Sequence, residues 1–421
     1  MAKVLVIGSG GREQALAWKL AESTQVEQVY VAPGNGGSRG KVKNAEINFD
    51  DAASLADFAK TTAIDLTMVG QEAASAAGVV DVFKASGLKI FGPTKAAVKI
   101  ESSKAFSKTL MSQQAIPTAD FKNFTDAQEA IAYAKSRPLP VVIKADGLAT
   151  GKGVIIAENA QQIEAAVNDI MIKRIFGEAG AQLVVEDFLL GQEVSVHALC
   201  DGKTSIIFPP SQDHKQIFDG DKGPNTGGMG VVAPIDWVSS ELLNQVNQTV
   251  VQPALKGLIK HQAPFTGCLY PGLMINGQDI KVLEFNARFG DPEAEVYMRL
   301  IDSDLYEALR AAADGQLKPS HIKWRQGYAV SVVLASGGYP GEYKKGLPIS
   351  GMDRAEALEG IVIFHAGTAI KDGQIVTAGG RVLNVTATGQ TLDEALSRAY
   401  RAVELINFEG MHYRRDIGRR P

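Results

Sequence analysis
The sequence predicts a multidomain fold of α/β and α+β class that opens on a parallel sheet. Three observations carry that prediction. The chain has 421 residues, room for two to four domains at roughly 150 residues each. Its first hundred residues alternate short β-branched runs with helical text, the rhythm of βαβ units whose parallel sheet is covered by helices. After Pro93 the text changes to strands joined by tight turns, and a further mixed segment closes the chain. A composition 45% hydrophobic and 21% charged is that of an ordinary globular protein and excludes disordered and collagen-like classes.

Taken in order, the runs at 4–7, 29–32, 66–69 and 88–91 read as strands, and 13–22, 52–60 and 76–85 as helices. Residues 95–114 are strongly helical, with Pro117 closing them. Strands follow at 141–145, 154–157, 183–188, 193–199 and 205–208, with a helix over 163–173 and Asp201-Gly202 as a hairpin turn. A glycine-rich loop spans 211–230. A helix over 241–261 and strands at 268–275 and 280–285 come next. Residues 319–325 read as a link to a last segment with strands at 327–334, 362–365 and 381–388 and a helix over 392–406.

Several function classes are disfavoured. A net charge of −4 gives no general footprint for nucleic acid or anionic membrane. No stretch approaches the ~20 apolar residues of a membrane helix, and the apolar run in the opening MAKVLVIGSGG is too short for a secretory signal. Cys200 and Cys268 cannot make a disulfide framework and read as packing residues, which suits a cytoplasmic protein. The six histidines show no paired zinc spacing; His214 alone is placed in the site. Lys41, Lys43, Arg414, Arg415, Arg419 and Arg420 read as solvated or structural ion-pairing groups.

Three motifs carry chemistry. Gly8-Ser9-Gly10-Gly11-Arg12-Glu13 follows a strand, but Glu13 stands where a dinucleotide fingerprint wants its third glycine, and the second strand ends without a ribose-binding acid. A substrate phosphate is the better guest for this turn. Two more loops, Pro33-Gly34-Asn35 and Gly70-Gln71-Glu72, end neighbouring strands and make a pocket with it. Lys144 precedes a glycine loop ending Gly151-Lys152-Gly153. That loop misses the Walker spacing and joins two strands, so it reads as a hairpin closing over ATP phosphates. In Val282-Leu283-Glu284-Phe285-Asn286-Ala287-Arg288-Phe289, alternation puts Leu283, Phe285, Ala287 and Phe289 on the core side and Glu284, Asn286 and Arg288 on the other. A carboxylate and an amide oxygen suit Mg²⁺; Arg288 suits a phosphoryl group. Gly290-Asp291-Pro292-Glu293 adds two acids.

Together with VAPGN, IFGPT, SKAF, SQDHK, GPNTGGMG, SGGYPG, FHAGT, GGRVLNVTA and RRDIG, these motifs resemble the glycinamide ribonucleotide synthetase family of the ATP-grasp superfamily, over essentially the whole chain. The resemblance implies an N-terminal parallel-sheet (Rossmann-like) domain over 1–103, a central ATP-grasp fold over 104–318 and a C-terminal mixed α/β domain over 325–421. Residues 121–190 would be a mobile nucleotide cover. It implies ligation of glycine to 5-phosphoribosylamine with ATP and Mg²⁺ or Mn²⁺, in purine synthesis, by a monomer or weak oligomer. Lys104, Lys144, Gly151, Lys152 and Gly153 would hold phosphates, the hinge with Glu186 and Phe188 adenine, and Glu193 the ribose. Glu284 and Asn286 would bind metal. Substrates would meet Gly10, Gly11, Arg12, Glu13, Pro33, Gly34, Asn35 and Glu72, and also Asp213, Lys215, Asn225, Thr226, Gly227, Arg288, Gly290 and Asp291. Arg288, Lys144 and Asp213 would be catalytic. Gln14, Gln71, Ala74, Ala287 and Glu295 depart from the residues usual in the family.

Overall fold
The computed structural model describes residues 1–148 and 153–419. The first segment forms a wholly parallel sheet in the order Val42–Asn44, Val26–Pro33, Ala2–Gly8, Leu66–Val69, Ile90–Phe91. Its central strand sends Val4 and Val6 into one apolar core and Leu5 and Ile7 into another, as a strand covered on both faces must. Each of these fully buried side chains contributes about 1.5–3 kcal/mol relative to exposure. The covering helices include Gly11–Ala21, Ala52–Thr61, Glu72–Ala77 and Val79–Ala85. The single helix expected over 76–85 is split because Gly78, at φ +94°, ends one helix and opens the next.

The helix expected over 95–114 is likewise two, Lys99–Ser102 and Lys104–Gln113. Ser103 leaves helical geometry, and its hydroxyl accepts the Phe106 N–H at 3.1 Å, an N-cap that makes Lys104 the first residue of the new helix. Beyond it, Phe121–Phe124, Leu183–Asp187, Val141–Ala145 and Val154–Ala157 form an antiparallel sheet in that order. This sheet has a core of its own, with Phe124, Ile143, Ile163, Ile170 and Val185.

Thr266–Asn276 is the central strand of a further sheet. One edge pairs with Asp279–Asn286, the other with Gln192–Ser195 and Ala198–Asp201. These last two were expected as one strand over 193–199. The gap at Val196 and His197 falls opposite Pro271 and Tyr270, and proline has no N–H to give to the ladder. The helix expected over 241–261 is also interrupted, by a wide turn at Asn247–Val251 just ahead of Pro253, which relieves the clash of the proline ring with the preceding turn. In Asp279–Asn286, Gly272 pairs with Glu284 but Leu273 pairs with Val282. Leu283 is the extra residue of a bulge. It was expected on the core side and instead lines the cavity described below.

The last sheet runs Gln212–Asp213, Gly230–Ala233, Tyr328–Ala335, Arg381–Gly389, Ile361–His365. Its first two strands come from the middle of the chain, so the segments expected as 104–318 and 325–421 share a sheet. The stretch 211–230 is therefore not an open loop. It holds the edge strand Gln212–Asp213 and a hairpin of Gln216–Phe218 with Lys222–Asn225, and leads into Gly230–Ala233.

Candidate active site
The sheets meet around a cavity of about 490 Å³. Its walls carry Lys104, Lys144, Gly153, Glu186, Phe188 and Glu193. They also carry Glu284, Asn286, Arg288, Arg12 and Glu72, together with Asp213, Lys215, Asn225, Thr226, Gly227 and Asp291. Gly151 and Lys152 lie outside the described residues. Gly10, Gly11, Glu13, Pro33, Gly34, Asn35 and Gly290 do not line the cavity.

Lys144 lies near the end of a buried strand, and its Nζ donates to Leu283 O at 3.0 Å and forms an ion pair with Glu186 Oε1 at 3.0 Å. Lys108 grips the other Glu186 oxygen at 2.8 Å and donates to Thr118 Oγ1 at 2.6 Å. The Glu186 carboxylate is thus ion-paired with two lysines, although its Oε1 has no hydrogen-bond partner, and the half-exposed Phe188 ends the hinge. Burial lowers the Lys108 ammonium to about 8 against the pull of Glu186. Lys108 was not anticipated, although it lies one helical turn from Lys104. Lys104 Nζ donates to Gly147 O at 2.9 Å, tying its helix to the glycine loop.

Glu284 and Asn286 stand on the cavity face of one strand. Burial disfavours a charged Glu284, but Lys215, Lys144, Lys104 and Arg288 outweigh it and hold the carboxyl below its ordinary value. Asn286 Nδ2 donates to Tyr270 O at 3.4 Å, leaving its amide oxygen for another partner. An ionised carboxylate and a neutral oxygen are the donors Mg²⁺ takes when nucleotide phosphates and water supply the rest. The pair thus fits a divalent ion held jointly with a nucleotide; among the described residues there is no cluster of three or more acidic, His or Cys ligands.

Arg288 lies between two carboxylates, Glu72 at 3.2 Å and Glu101 at 3.4 Å. Burial raises Glu72, but Arg288 and Arg12 overcome it and bring the group down to about 2. Glu101 goes the other way, pushed up to about 7 by burial despite Arg288. Its folded value exceeds the ordinary 4.5, so the folded state keeps a proton the unfolded chain releases. Stability from this group is present below pH 4.5 and lost as pH rises through about 7. Glu101→Gln is therefore expected to raise Tm at pH 8 more than at pH 4; equal shifts in thermal melts at the two pH values would contradict this.

Burial, with Glu293 adding to it, pushes the Asp213 carboxyl well up, and Asp213 Oδ1 is buried without a hydrogen-bond partner. Lys215 pairs with Glu193. Burial disfavours its charge, but Glu193, Glu284 and Asp213 together raise its pKa. Arg381, unanticipated, donates to Gly227 O and to Asp291 O, each at 2.6 Å, and pairs with the Asp291 carboxylate at 3.2 Å.

The N-terminal loops gather beside Asp291. Glu13 is fully buried, accepts the Gly10 N–H at 2.7 Å and holds Arg12 Nε at 2.6 Å. A Cβ on Gly70 would sit 2.2 Å from its Oε1, so Glu13 fills the turn that a dinucleotide would need. Asn35 Nδ2 donates to Ser9 O at 3.0 Å and His365 O at 2.8 Å. Gln14 bridges Gly37 O and His365 N. A Cβ on Gly10 would lie 3.1 Å from Asp291 Oδ2, which places the turn against a cavity residue. Ala74 and Ala287 are buried, and Glu295 accepts from Asn384.

Three domain models of phosphoribosylglycinamide synthetase match the chain in succession: the N domain at 2–101, the ATP-grasp (A) domain at 102–294 and the C domain at 329–420. A phosphoribosylamine–glycine ligase of Vibrio vulnificus is 48% identical over 420 residues, covering 99% of this chain and 98% of that protein. The chain belongs to the phosphoribosylglycinamide synthetase family. The trifunctional purine biosynthetic protein adenosine-3 of Gallus gallus is 50% identical to 99% of this family member, which spans only 42% of that longer protein. The crystal structure of the phosphoribosylamine–glycine ligase of Thermotoga maritima has the same fold, with a TM-score of 0.87, 35% identity and coverage of 99% of this chain and 100% of that one. ATP-grasp enzymes use ATP and a divalent metal. Among the described residues no helix is long and apolar enough to cross a membrane.

Proposed function
We propose that this chain joins glycine to 5-phosphoribosylamine, converting ATP to ADP and phosphate and giving glycinamide ribonucleotide for purine biosynthesis. The observation that carries this reading is Glu284, held ionised by four cations beside the free oxygen of Asn286, in the cavity. A carboxylate does not react with an amine at neutral pH because its oxygen leaves poorly. A glycine carboxylate oxygen bonds to the γ-phosphorus of ATP while the bond to the β-phosphate oxygen breaks. The resulting glycyl phosphate has a good leaving group. The ribosylamine nitrogen then bonds to the carbonyl carbon, phosphate departs, and the nitrogen gives up its proton.

Such a path needs charge neutralisation and alignment more than a covalent nucleophile. Lys104, Lys144 and the loop through Gly153 hold the phosphates, the hinge ending at Phe188 takes adenine, and Glu193 takes the ribose. Arg288 and Lys144 neutralise the moving phosphoryl group. Glu284 and Asn286 hold Mg²⁺ or Mn²⁺, which supplies further neutralisation at the phosphates. Asp213 receives the nitrogen-bearing end of a substrate, and a cationic nitrogen there would restore its ionised form. Arg12, Glu72, Asn225, Thr226, Gly227 and Asp291 complete the substrate walls, with Gly10, Gly11, Glu13, Pro33, Gly34, Asn35 and Gly290 behind them. Residues 121–190 close over the nucleotide and keep water from the acyl phosphate. Two unpaired buried cysteines suit work in a reducing cytoplasm.

An assay with ATP, glycine and freshly made phosphoribosylamine is expected to give ADP and the amide product in equal amounts. ADP release that depends on bicarbonate rather than glycine would contradict the reading.

A further inference from the structure
The wall that carries Asp213 and Lys215 is held by the chain's own tail. Asp213 belongs to a strand of only two residues, Gln212–Asp213, whose continuation is tied to the 226–230 stretch by the His214 N–H to Gly230 O at 2.9 Å and the Thr226 N–H to Lys215 O at 2.8 Å. Residues 412–418 run along the hairpin that follows it. His412 Nε2 donates to Ile217 O at 2.8 Å. Arg414 is 1% exposed and donates to Gln216 O at 3.1 Å, Asp221 Oδ1 at 2.8 Å and both oxygens of Asp416. Asp416 in turn accepts the Gly220 N–H at 2.8 Å, and Asp219 accepts the Arg415 N–H at 2.8 Å. At the end of the run, Gly418 N–H donates to His214 Nε2 at 2.9 Å. His214 stands between Asp213 and Lys215. Burial and then Arg414 lower its pKa to about 4, so the ring is neutral at pH 7 and keeps the lone pair this bond uses.

These contacts converge on the stretch from His214 to Asp221. None reaches the lysines or the hinge at the nucleotide end. Arg414 is thus a buried guanidinium that ties its own segment, through Gln216 and Asp221, to the stretch directly after the two cavity side chains.

We propose that Arg414 is a positioning residue. Through the 216–225 hairpin and the Gly418–His214 bond it fixes Asp213 and Lys215, so the tail sets affinity for the two small substrates and not for ATP. The inference rests on the reaction proposed above. Its test uses the full chain. In Arg414→Ala, KM for glycine and for phosphoribosylamine is expected to rise about 10-fold or more, since small misplacements near reacting groups are costly, while the Kd for ATP stays within about twofold. Arg414→Lys, which keeps charge but loses the fork, should fall between. Asp221→Asn alters a partner whose side chain is 45% exposed and should fold even if the alanine variant does not. A rise confined to the two small substrates supports the proposal. Equal changes in all three constants, or none in a folded variant, would overturn it. Wild-type protein that turns over ATP without using glycine would instead overturn the reading of the reaction, and this proposal with it.

Discussion
Glu284→Ala is expected to bind ATP within severalfold of the wild type and to lose about 10³-fold in kcat, several kcal/mol of transition-state stabilisation. The side chain is the only carboxylate on the cavity face of its strand, and four cations hold it ionised. Removing it leaves Lys104, Lys144 and Lys215 in place to attract phosphates, so affinity for the nucleotide survives. What is lost is the anionic half of the Glu284–Asn286 pair, and with it the grip on a divalent ion. Equilibrium ATP titration beside steady-state turnover separates these effects. Normal turnover in the variant would refute the assignment.

Arg288→Ala is expected to cost both activity and stability. The guanidinium is the shared counter-ion of Glu72 and Glu101. Its loss leaves two largely buried carboxylates facing each other, a change worth about 3 kcal/mol. It also removes a donor for the transferring phosphoryl group, for about 10²–10³-fold in kcat. Arg288→Lys keeps the charge without the fork, and should recover more stability than activity. Urea unfolding and turnover measured on the same preparations test both halves. An alanine variant with an unchanged urea midpoint would show that the pair with Glu72 and Glu101 carries no load.

Much of this was legible in the sequence because short-range rules governed it. Parallel strands such as Leu66–Val69 declare themselves as β-branched runs between helices. Glu284, Asn286 and Arg288 declare themselves by alternation, and Lys144 by its place before a glycine loop. What stayed hidden depended on long-range partners. Pro271 breaks a neighbouring strand across the sheet. The Leu283 bulge appears only when Gly272 and Leu273 are paired in register. Glu101 and Arg381 have no local signature, since each is functional only through a residue more than 80 positions away. The basic tail read as solvated or ion-pairing charge with no partner named, because nothing near Arg414 in sequence announces Asp221. The segment 211–230 looked like a loop because Gln212–Asp213 joins, through Gly230–Ala233, a sheet completed a hundred residues later.

The central chemistry, transfer of a phosphoryl group to the carboxyl oxygen of glycine, is open to one direct measurement. Glycine carrying oxygen-18 in its carboxylate is supplied with ATP and phosphoribosylamine, and the released phosphate is analysed by mass. One labelled oxygen per phosphate is expected, because the oxygen that attacks phosphorus leaves with it. Phosphate free of label, formed along with the amide, would contradict passage through glycyl phosphate.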